Sequence, residues 1–67
     1  MKVAVSGASG YVGQALLVLL ARQGVSTLAV GRGQPLLPAL DGVRWLLCAD
    51  GVPSASQLVG IDVVVHL

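Results

Sequence analysis

The chain has 67 residues, 55% hydrophobic and only 10% charged, with a net charge of +1, where ordinary domains carry about a quarter charged residues. Its four basic residues, Lys2, Arg22, Arg32 and Arg44, stand singly, so no basic patch points to nucleic acid, and a lone Cys48 excludes a disulfide framework or a zinc site within the chain. No apolar run approaches the ~20 residues of a membrane span, and Gly7, Gly10 and Gly13 interrupt what would otherwise resemble a signal peptide, so the cytoplasm is the expected location.

Lys2 to Val5 predicts a first strand, short and apolar on both faces, as at the centre of a parallel sheet. The stretch Ser6-Gly7-Ala8-Ser9-Gly10-Tyr11-Val12-Gly13 follows, with glycines spaced Gly-x-x-Gly-x-x-Gly between that strand and a helix. Gly7 suits the positive φ of a tight strand exit. Gly10 leaves room for backbone N–H groups to close on an anion, which the first turn of the helix also attracts through its unpaired N–H groups and dipole. Gly13 lets the helix pack close. Ser9, Tyr11 and Val12 belong to this loop by position, and the whole predicts a pyrophosphate site; a purely structural turn is the alternative.

Val12, Leu16, Leu19 and Leu20 recur at helical spacing and are expected to pack on the sheet, with Gln14 and Gln23 facing out. Gly24 ends that helix, with Arg22 near its negative end. Ser26 to Val30 is a second strand. Pro35 and Pro38 reduce Leu36 to Leu40 to a loop with at most one turn. Val43 to Cys48 is a third strand, in which Trp45 and Cys48 read as core. Ser54 to Val59 is a short helix begun by Pro53 or Ser54, and Asp62 to Leu67 a fourth strand, with Asp62 structural. Four such runs imply parallel pairing through right-handed crossovers, an α/β, Rossmann-type, doubly wound sheet of order 3-2-1-4. The expected organisation is a single unit over residues 1–67, the N-terminal part of an NAD(P)-binding Rossmann domain cut after strand four. Its open edge would pair with the remainder of the domain or with a second copy.

Gly7-Ala8-Ser9-Gly10-Tyr11-Val12-Gly13 resembles the cofactor loop of the NAD(P)-dependent epimerase/dehydratase family, the extended and atypical short-chain dehydrogenase/reductases. Ile61-Asp62-Val63-Val64-Val65-His66-Leu67 is similar to the fourth strand of that family. The resemblance spans all 67 residues but only the opening portion of such proteins. It implies that Asp50, with Gly51 after it, meets the adenine amino group, although the family more often has Gly where Ala49 stands. It also implies that Leu67 lines the cofactor and that His66 shapes the site.

NAD-binding Rossmann units carry an acid about 20 positions past the glycines that holds the adenosine ribose. Here Gly31 stands in that place and Arg32 follows, whose guanidinium can pair with a 2′-phosphate. NADP is therefore expected over NAD, the alternatives being a solvated Arg32 and an Asp50-Gly51 pair that merely makes a turn. The Tyr-x-x-x-Lys pair of the family's enzymes is missing: Tyr11 and Lys2 are the sole residues of their kinds. No catalytic residue is assigned, and His66 reads as packing. Three functions stay open: the cofactor portion of an epimerase, dehydratase or reductase; a non-catalytic NADP-binding or redox-sensing module; or a remnant that does not fold.

Overall fold

Val3, Ala4, Val5 and Ser6 are all buried, so strand β1 (Lys2–Ser6) is covered on both faces, as the apolar run requires. The computed structural model describes residues 1–32 and 40–67. In it β1 is flanked by β2 (Ser26–Gly31) and β4 (Val63–His66), with β3 (Val43–Leu47) outside β2. All pairings are parallel, in the order β3-β2-β1-β4. The fold is thus the expected Rossmann-type doubly wound sheet. Leu36 to Leu40, read as a loop, lies outside the described residues except for Leu40.

Alternation along the strands divides the core in two. Val3, Val5 and Ala29 face helix α1 (Tyr11–Arg22) and meet Leu17. Ala4, Leu28 and Val30 face the other way and meet Leu58 and Ile61. Those two residues come from the connection between β3 and β4, so the two crossovers lie on opposite faces, as a doubly wound sheet demands.

The helix presents a different face from the one expected. Leu17 is fully buried, with Leu16 and Leu20 beside it, whereas Val12 and Leu19 are 64% and 54% exposed. The reason is phase: Gly13, Leu16, Leu17 and Leu20 follow the i, i+3, i+4, i+7 spacing of one stripe, and Gly13 sets that stripe by its closeness to the preceding turn. Gln14 does not face out either; its Nε2 donates to the Ser9 carbonyl at 3.0 Å. Beyond Arg22 the helix closes at Gln23, and Gly24 takes a φ of 71°, the left-handed C-terminal position glycine favours.

The connection before β4 is a four-residue 3-10 turn, Ala55–Leu58, rather than a helix over Ser54 to Val59. Ser54 and Gln57 form a capping box at its start, but Val59 is extended and Gly60 has a φ of 84°, so no second turn follows. At the amino ends of the strands Asp62 ties β4 to β1. Its N–H donates to the Lys2 carbonyl at 2.9 Å, and its Oδ2 accepts from the Lys2 N–H at 2.8 Å. Among the described residues, no helix is long and apolar enough to cross a membrane.

The two faces of α1 differ enough to be told apart by substitution. Leu17→Ala should lower stability by about 3 kcal/mol, and Leu19→Ala by less than about 1 kcal/mol, measured as urea unfolding midpoints. The reverse ranking would mean that the helix is rotated on the sheet.

Candidate functional site

The site lies where β1, β2 and β4 end. Gly7 leaves β1 with a φ of 69°, a conformation in which a Cβ is strained. That Cβ would also lie 3.0 Å from the Leu67 carbonyl oxygen. The turn is tied down on both sides: the Ala8 N–H donates to the Val30 carbonyl at 3.0 Å, and the Gly10 N–H to the Gly7 carbonyl at 3.2 Å.

Gly10 is the N-cap of α1, extended and with no side chain to offer the helix. The N–H groups of Tyr11, Val12 and Gly13 therefore have no acceptor among the described residues. Unsatisfied donors and the positive dipole end together attract an anion. The glycines have separate duties here. A Cβ at Gly13 would sit 2.7 Å from both the Ala8 Cα and the Gly7 carbonyl oxygen, so the helix can approach the turn only without one. A Cβ at Gly10 would meet nothing closer than the Gly7 carbonyl oxygen at 3.4 Å, and otherwise would project into open space.

Two adjoining clefts share Gly7 and Leu67. One, at the start of the helix, is bordered by Gly10, Tyr11, Val12 and Gly13. The other, of about 260 Å³, runs from the turn to Ser9, Arg32 and Gly51, and is smaller than the usual pocket for a whole small ligand. Its lining includes no carboxylate and one cation, Arg32. The guanidinium side chain lies along Gly51, which has a φ of 73° and whose added Cβ would be 3.0 Å from Arg32 Nε.

Of the residues singled out in the sequence, Gly7, Ser9, Gly10, Tyr11, Val12, Gly13, Arg32, Gly51 and Leu67 border these clefts. Tyr11 is 93% exposed and does not cover the turn. Asp50 borders neither cleft; its Oδ1 accepts from the Val52 N–H at 3.0 Å, an Asx turn. Sequence reasoning gave Ser6, the first residue of the glycine stretch, no role of its own, and read His66 as packing that shapes the site. They are direct neighbours on β1 and β4, Ser6 Oγ lies 2.6 Å from His66 Nδ1, and both border the cleft that holds Arg32. The available signal was positional, since each ends its strand.

Comparison with family models, with curated proteins and with solved structures yields no match. The chemistry available is that of the geometry itself: a turn with unsatisfied N–H donors beside a cleft lined by an arginine and by no carboxylate.

The division of labour between the glycines has a direct consequence. Gly13→Ala should cost about 2 kcal/mol in stability, because backbone atoms must move apart. Gly10→Ala should cost less than about 1 kcal/mol. Chemical denaturation checks both, and equal losses would remove the distinction.

Proposed function

We propose that the protein binds a dinucleotide, NADP in preference to NAD, as the cofactor portion of an epimerase, dehydratase or reductase. One observation carries this reading. The unsatisfied N–H groups at the start of α1 and the Arg32 guanidinium border connected clefts, and none of the acidic side chains of the described residues lines them. A pyrophosphate fits the turn from Gly7 to Gly13, where the open space beside Gly10 leaves the backbone accessible. A 2′-phosphate fits Arg32, which can donate two charge-assisted hydrogen bonds. Ser9, Gly51 and Leu67 form the walls between them. The resemblance would put Asp50, which lies outside both clefts, at the adenine amino group through its second carboxylate oxygen, the first being engaged by Val52.

When bound, the nicotinamide would supply hydride transfer. This chain's own residues would bind and orient the cofactor and do no more. Tyr11 stands in solvent at the start of α1 and Lys2 lies at the opposite end of β1, so the two cannot form a proton-transferring pair. That placement also favours a second reading, a non-catalytic NADP-binding or redox-sensing module. On either reading the outer side of β4, where Val63 and Val64 are 43% and 56% exposed, is the place for a further strand. The remainder of the same domain or a second copy would supply it.

Arg32→Ala should weaken NADPH binding by about tenfold or more, and NADH binding by less than about threefold, measured by titration calorimetry. Equal losses for the two would overturn the assignment of Arg32 to the 2′-phosphate.

A further inference from the structure

Gly31, the last residue of β2, is buried and pairs with Leu47 on β3. It occupies the position where a dinucleotide site that favours an unphosphorylated ribose carries its acid. Its backbone does not explain why it is glycine. Gly31 is absent from the positive-φ glycines of the chain, so any residue could adopt its conformation.

The explanation is space. A Cβ at position 31 would lie 3.3 Å from Trp45 Cζ3, 3.4 Å from Ser9 Oγ and 3.5 Å from Ser9 Cβ. A single methyl group would already press on its neighbours, and an aspartate adds three more heavy atoms. The Trp45 ring and the Ser9 backbone that carries its Cβ are both held in place. Trp45 is half-buried, pairs with Ala29, and packs against the core cluster of Val3, Val5, Ala8, Leu17 and Ala29. Ser9 belongs to the anion-binding turn, and its carbonyl accepts from Gln14 Nε2.

We infer that Trp45 is a specificity-determining positioning residue: with Ser9 it holds position 31 to glycine, keeps a carboxylate out of the ribose end of the cleft, and so commits the cleft to an adenosine bearing a 2′-phosphomonoester. The inference rests on the dinucleotide reading above. Its physical content is that an anionic 2′-phosphate beside Arg32 is favourable only while no carboxylate shares the space. The aromatic ring on β3 excludes that carboxylate by volume, without touching the ligand itself.

The experiment compares NADPH and NADH affinities, by titration calorimetry, for the unsubstituted protein, Gly31→Asp, Trp45→Leu and Gly31→Asp/Trp45→Leu. Gly31→Asp alone should lose NADPH binding by about tenfold or more and gain nothing for NADH. Adding Trp45→Leu should then raise NADH affinity by about tenfold over Gly31→Asp, a change in preference that a purely structural role for Trp45 would not produce. A switch to NADH in Gly31→Asp alone, or no gain in the folded double variant, would overturn the inference and leave the dinucleotide reading standing. Failure of the unsubstituted protein to bind either nucleotide would overturn both. If the double variant does not fold, the steric contact is read from stability instead. Gly31→Ala should destabilise the protein, and Trp45→Leu should reduce that penalty. Simple additivity of the two would overturn the inference.

Discussion

The arrangement at the carboxyl ends of the strands depends on how closely α1 seats on the turn that feeds it. Gly13 faces the backbone of Gly7 and Ala8 with no room for a methyl group, and this contact fixes both the height and the rotation of the helix. From that rotation Leu17 reaches the centre of the sheet, and the first-turn N–H groups are left without acceptors among the described residues. The packing of the core and the placement of the free N–H donors are therefore two results of one steric constraint. A helix set a methyl group farther away would weaken the core and aim its donors elsewhere.

Among the described residues, the two faces of the sheet are unequally covered. On one side α1 lies over Val3, Val5 and Ala29. On the other, a single 3-10 turn and the residues after it bring Leu58 and Ile61 onto Ala4, Leu28 and Val30. The chain leaves β1 toward β2 on one face and returns to β4 on the other, so the connections diverge above β1. A crevice opens at such a reversal of strand order. Here it is bordered by Ser9, Arg32, Gly51 and Leu67, which come from different segments of the chain.

Much of this architecture was legible from residue pattern. Short apolar runs broken by glycines place four parallel strands and their order, and the spacing of Gly7, Gly10 and Gly13 places the turn at a strand-to-helix junction. The strands β1 and β2 run one residue longer than expected, because Ser6 and Gly31 extend ladders that their polarity or size gave no reason to extend, whereas Cys48, Asp62 and Leu67 fall outside β3 and β4. The buried stripe of α1 was not legible. Ala15 to Ala21 is apolar all round, so hydrophobicity alone leaves the phase undetermined, and only the contact at Gly13 decides it. Nor were the pairs Ser6–His66 and Gly31–Trp45, which depend on register between strands. A shift of one residue would send each partner to the opposite face. Asp50 reads equally well as a ligand group or a turn former, and its bond to Val52 shows that the turn is made.

The junction of β1 with β4 also bears on the order of events in folding. Ser6 and His66, which meet beside the cleft, are separated by 60 positions in the chain. Parallel pairing over such a span closes a long loop of chain before the β1–β4 contacts reward it. The turn and α1 can form from neighbours in sequence, whereas the cleft takes its shape only when β4 docks on β1. Anything that bound in this cleft would therefore select chains in which that distant pairing has been made.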